Sequence, residues 1–142
     1  MNNVLDFLKP KLSEDIYLRE DILHVSNTLK DLEVSPSQEF IDFYTSYSGP
    51  FFEESLGFEL LDIIDDSENI RNLTLACREQ YEFENKFIVL TNMAANEVLI
   101  LDTESDKVYR VDFEGGENKL KMNELKETWS SFLDFLKEYF GC

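Results

Sequence analysis

The sequence predicts a single α+β domain, an antiparallel β-sheet meander with helices packed mainly on one face. Helical stripes of apolar residues over 40–47 and 125–140 flank three β-type runs at 87–91, 97–102 and 107–113. The segments between those runs, 92–96 and 103–106, are short enough to be hairpin turns. No repeat, low-complexity tract or Pro/Gly/Ser linker divides the 142 residues, and a 43% hydrophobic content suffices for one core, so the domain is expected to run over 1–142.

Taken in order, residues 14–31 read as a weakly amphipathic helix with Ile16, Leu18, Ile22, Leu23, Val25 and Leu29 as apolar positions. The next helix is better signed. Ser35 is placed as its N-cap, Pro36 at its first position and Gln38 three residues after the cap. Phe40, Phe43, Tyr44 and Tyr47 then follow at i, i+3, i+4 and i+7, one aromatic stripe. Gly49 suits a left-handed C′ position and Pro50 cannot continue the helix. Residues 58–64 read as a short strand. Asp65-Asp66-Ser67-Glu68 offers capping groups for a helix over 69–78, with Ile70, Leu73 and Cys77 facing inward.

In the last β run Tyr109, Val111 and Phe113 share one face while Arg110 and Asp112 take the other, which implies a sheet with one covered face. Gly115-Gly116 breaks the pattern. Leu125, Trp129, Phe132, Leu133, Leu136 and Phe140 form the stripe of a closing helix, with Gly141 after it.

Charge narrows the range of partners. The formal net charge is −17, and residues 31–70 hold eleven Asp or Glu and no Lys, Arg or His. Seven aromatics (Phe40, Phe43, Tyr44, Tyr47, Phe51, Phe52 and Phe58) are spaced through that stretch, so it folds, yet it repels nucleic acid, anionic membranes and acidic proteins. A basic partner becomes attractive, and strong like charge favours a monomer. Residues 1–10 lack the basic and apolar regions of a signal peptide, and no run approaches 18 apolar residues. Cys77 and Cys142 suggest no disulfide framework, so a cytoplasmic protein with free thiols is expected.

The residues that carry chemistry are few. Asp102, Glu104 and Asp106 have the first three spacings of a calcium loop. Lys107 replaces its glycine and Phe113 its chelating glutamate, so a hairpin turn is the better reading. One histidine, His24, and two distant cysteines make no zinc site and leave a nucleophile only one candidate base. Gly115-Gly116 lacks the Lys-Ser/Thr of a phosphate-binding loop. Thirty acids always supply a pair that might face each other, so carboxylate-pair chemistry is uninformative here. The inventory argues against an enzyme and implies no metal and no cofactor.

The order of signals resembles the SUKH superfamily: the Pro36 helix ending at Ser48-Gly49, a strand and an acidic segment, then the hairpin from Phe87 to Asp102. That hairpin leads into Lys107-Val-Tyr109-Arg, and Thr128-Trp-Ser-Ser-Phe132-Leu-Asp-Phe135-Leu136 closes the pattern. Val34-Ser35-Pro36 stands where family members usually show Leu-Pro, and Ser48-Gly49 where they show Asn-Gly or Gly-Gly. The resemblance implies a SUKH-like domain that binds a cognate toxin C-terminal domain of a polymorphic or contact-dependent system and blocks it stoichiometrically. Such toxins are often nucleases with basic grooves. The alternative is an intracellular scaffold or regulator of the same fold. The contact surface expected for a basic partner is Glu53, Glu54, Asp62, Asp65, Asp66 and Glu68 after the aromatic helix, plus Asp102, Glu104 and Asp106 at the hairpin tip.

Overall fold

The computed structural model describes residues 5–53, 56–65 and 67–141. Helices α1 (Ile22–Leu32) and α2 (Gln38–Ser46) are followed by a two-stranded ribbon, β1 (Phe51–Phe52) with β2 (Glu59–Leu60). Helix α3 (Ile70–Tyr81) leads into an antiparallel meander of β3 (Phe87–Val89), β4 (Glu97–Asp102) and β5 (Val108–Asp112). Short α4 (Gly116–Lys121) and α5 (Phe132–Tyr139) close the chain. The α+β class and the meander are as the sequence predicts. Both hairpins form, pairing Phe87 with Asp102 and Glu97 with Asp112.

The sheet is covered on both faces along its middle strand, unlike the single covered face expected. Leu99 and Leu101 join Ile88 and Val108 against Phe40, Phe43, Tyr44, Phe132 and Phe135. Val98 and Ile100 face the other way, into a smaller cluster with Phe83, Phe87, Val89, Tyr109, Val111 and Leu120 that Leu73 and Cys77 of α3 border. Arg110 misleads because it is exposed although it pairs with the buried Leu99. Its Nε and Nη2 donate to Glu97 at 3.1 Å, and its guanidinium sits 5.3 Å from the Phe58 ring centroid.

Several boundaries shift for reasons visible in the backbone. The chain from Asp15 to Tyr17 makes a 3-10 turn, Leu18 is extended and bridges Tyr47, and α1 begins only at Ile22. Main-chain pairing of Arg19 N–H with Ser46 (3.1 Å) and Ser48 N–H with Tyr17 (2.8 Å) overrides the weak helical stripe. Ile16, Leu18, Ile22 and Leu23 are therefore exposed, and the buried stripe is Val25, Thr28, Leu29 and Leu32.

The α2 cap is Ser37 rather than Ser35, its hydroxyl accepting from Phe40 N–H at 3.3 Å. All four aromatics of the α2 stripe are buried. Gly49 is not left-handed. It is a space requirement, since a Cβ there would lie 2.8 Å from the Phe51 ring. Asn69 caps α3 through Asn72 N–H at 2.8 Å, in place of the acidic cluster before it. Trp129 precedes α5 and bridges Val108, so the closing helix is shorter than its stripe suggests and is capped by Ser131.

Two buried polar centres hold the loops. The Tyr139 hydroxyl accepts from Leu60 N–H (3.1 Å) and lies within donating distance of the carbonyls of Phe58 (2.7 Å) and Phe51 (3.0 Å), pinning the β1–β2 ribbon to α5. Burial pushes that phenol up to about 12, so it remains a donor at neutral pH. Asp62 is the second centre. Fully enclosed, it pairs with Arg19 and accepts from the N–H groups of Gly49 (2.8 Å), Ile64 (3.1 Å) and Asp65 (2.9 Å). Arg19 also donates through Nε to the Tyr44 carbonyl.

Removing one member of a buried pair leaves the other charge uncompensated. Arg19→Met is expected to lower unfolding free energy by about 3–5 kcal/mol, seen as a lower urea midpoint at unchanged slope. A loss below about 1 kcal/mol, the range of an exposed ion pair, would show that the pair does not hold this end of the molecule.

Candidate functional site

The seven described acids of the expected surface do not form one patch. Glu54 and Asp66 lie outside the described residues. Asp62 is the internal hub just described and presents no carboxylate to a partner. Asp102 is also buried. Its carboxylate accepts from Glu104 N–H (2.9 Å) and Ser105 N–H (3.2 Å) and lies 3.5 Å from Lys86 Nζ, so it closes the β4–β5 turn.

Asp106 is half-buried against the start of α5, accepting from Phe132 N–H at 3.3 Å. Glu53 is half-buried, while Asp65, Glu68 and Glu104 are exposed. Asp106 and Asp65 lie at opposite ends of α2. Asp106 is near Ser37 at its N-cap, and the Asp65 carboxylate accepts from the Ser48 hydroxyl (2.8 Å) beyond its C-terminus. Nine residues at about 1.5 Å each put roughly 13 Å between them.

What the structure does bring together was hidden in the misread segment 14–31. Asp15, Glu20 and Asp21 converge with Asp65 around an open cleft of about 470 Å³ that Ile16, Leu18, Ile64, Ser48 and His24 also line. The one arginine in its wall, Arg19, is already matched by Asp62 and has only 3% of its side chain exposed. His24 Nδ1 lies 3.1 Å from Asp21 Oδ2. Strong negative potential is therefore left on a rim built from rigidly held backbone. Of the predicted acids only Asp65 belongs to it; Asp15, Glu20 and Asp21 were missed. A signal for them existed, since Ile16, Tyr17 and Leu18 are consecutive apolar or aromatic residues that no 3.6-residue stripe places on one face.

Among the described residues no group of three or more His, Cys, Asp or Glu is arranged to hold a metal ion, and no helix is long and apolar enough to cross a membrane. Burial pushes the Cys77 thiol up to about 11, far from the range of a reactive thiolate. Next to the cleft, Ile22, Val25, Leu29, Val34, Pro36 and Ile41 line a mainly apolar groove of about 260 Å³ between α1 and α2, with Lys30 at its wall.

The fold perturbs the titration of Asp106. Burial raises its carboxyl above the usual range. The Ser37 hydroxyl and Phe132 N–H pull the other way, and the Glu39 and Asp134 carboxylates add to the rise. The folded state then binds a proton more readily than the unfolded one, so this group's contribution to stability falls as pH rises from its ordinary value through the raised one. Asn tolerates the left-handed backbone at this position (φ 67°) and still accepts from Phe132. Asp106→Asn is expected to raise the melting temperature at pH 7 and to lose that advantage at pH 4. An equal difference at both values would contradict the burial argument.

The model of the SMI1 / KNR4 family (SUKH-1) matches residues 20–138, which span both sheets and all five α-helices except the last residue of α5. No curated protein matches the chain at a significant level. With most of its length matched and the α+β meander in place, the chain belongs to the SMI1 / KNR4 family (SUKH-1).

Proposed function

We propose that this protein is an immunity-type binding protein that neutralises a basic toxin domain by stoichiometric protein–protein contact. It uses no catalytic residue and no cofactor. The observation that carries the reading is the cleft where Asp15, Glu20, Asp21 and Asp65 meet with their one neighbouring arginine already neutralised. Carboxylates held at such a rim can occupy a groove built for phosphates and speed the encounter with it. The family match supports this, because immunity proteins are a theme of that family. The site of action follows as the cytoplasm, where a nucleic-acid-directed toxin meets its substrate.

The experiment is a tagged pull-down from the native cell at low and high salt, with mass spectrometry of what elutes. The C-terminal fragment of one large secreted protein, recovered in low salt and reduced in high salt, is the expected result. An intracellular regulator, or nothing while toxin is expressed, would overturn the toxin reading in favour of a scaffold. With the captured domain in hand, changing the exposed Asp65 and Glu68 and the half-buried Glu53 to Lys is expected to slow association by roughly tenfold at low ionic strength. The difference should shrink in high salt as screening removes the steering.

A further inference from the structure

Exposed aliphatic residues are concentrated on one short stretch. Ile16 and Leu23 are 73% exposed, Ile22 54% and Leu18 48%, and these four make up half of the large exposed hydrophobics among the described residues. Scattered singly they would need no explanation, but these four fall within eight positions of the chain, three of them in the walls of the acidic cleft or the α1–α2 groove. Nor is the stretch a loose loop. Leu18 bridges Tyr47, Arg19 N–H and Ser48 N–H are both paired, and the Arg19 side chain is locked to Asp62 and the Tyr44 carbonyl. The aliphatics are held outward by the same contacts that bury their neighbours.

Two features flank this strip. Ile22 contributes to the wall of the apolar groove between α1 and α2, and Asp21, the residue before it, contributes to the acidic cleft. Ile16 and Leu18 line the acidic cleft itself. An occupant must therefore offer apolar side chains beside positive ones at short spacing.

We infer that the strip Ile16, Leu18, Ile22 and Leu23 docks a basic amphipathic helical segment of the partner protein, with its apolar face on the strip and α1–α2 groove and its Lys or Arg side chains in the acidic cleft. This rests on the reading of the protein as a partner-binding domain and names the surface used. Charge complementarity selects the occupant. A nucleic acid or an anionic membrane is repelled by the rim, and a second copy would bring a formal charge of −17 against −17. A helix laid in a groove presents anchors every three or four residues, which suits a strip flanked by one apolar and one acidic depression. Because the strip is fixed before binding, little ordering is required of this side of the interface.

The test uses the intact, isotopically labelled protein and a synthetic Leu/Lys amphipathic helical peptide as probe, titrated by NMR at 150 mM salt. Amide shifts confined to residues 15–24 and the α1–α2 groove are expected. Ile16→Ser with Leu23→Ser removes exposed apolar area without touching charge, and Glu20→Gln with Asp65→Asn removes charge without touching the strip. Each pair is expected to weaken peptide binding at least tenfold, with circular dichroism unchanged.

Shifts spread over all acidic surfaces, shifts centred on Asp106 at the opposite end of α2, or full binding by the serine variant would overturn the assignment. So would the absence of binding, or a dimer in sedimentation that Leu23→Ser dissolves. The pull-down separates this from the wider reading: a toxin domain captured equally by wild type and the serine variant refutes the surface and leaves toxin binding standing.

Discussion

The end of the molecule that carries the cleft depends on the enclosed carboxylate of Asp62. It pairs with Arg19, accepts three backbone N–H groups, and so fixes the turns at 49 and 62–65 together with the extended segment 18–19. Arg19 in turn reaches the carbonyl of Tyr44, near the end of α2. Desolvating two charges is costly. The arrangement persists because both Asp62 oxygens accept hydrogen bonds and Arg19 donates through Nε and Nη2, and an apolar pair of similar volume could be equally stable. The pair thereby specifies geometry. It dictates that the backbone before α1 lies along Ser46–Ser48 and enters the helix only at Ile22, with aliphatic side chains turned to solvent.

That geometry links the aromatic core to the surface. Phe40, Phe43, Tyr44 and Phe132 pack edge-on and tilted with centroids 4.8–6.4 Å apart, giving α2 and α5 a rigid contact. The Tyr139 hydroxyl ties the β1–β2 ribbon to the same block. A surface anchored on such a block moves little when a partner arrives. A preformed surface of this kind loses little conformational freedom on binding.

Much of the fold was legible because its signals are local and periodic. The α2 stripe, the three β runs and their turns, and Gly115-Gly116 as a break are each decided by residues within a few positions of one another. What could not be read was set by distant partners. Leu18 and Arg19 are extended because Ser46, Tyr47 and Ser48 pair with them. Asp62 is indistinguishable in sequence from the solvated acids around it until its three N–H donors and Arg19 are placed. The run Val98-Leu99-Ile100-Leu101 did signal burial on both faces, but the charges of Arg110 and Asp112 on the neighbouring strand argued for an open one. The acidic character of the site was therefore readable from composition, while its location was not.

The central claim is that one buried ion pair holds a preformed binding face over residues 15–24. Hydrogen–deuterium exchange on the free protein and on Arg19→Met tests it most directly. The account predicts that the amides of Arg19 and Ser48 are protected in the wild type and exchange rapidly in the variant, while the β4 amides stay protected in both. Rapid exchange of Arg19 and Ser48 in the wild type, or unchanged protection in the variant, would contradict it.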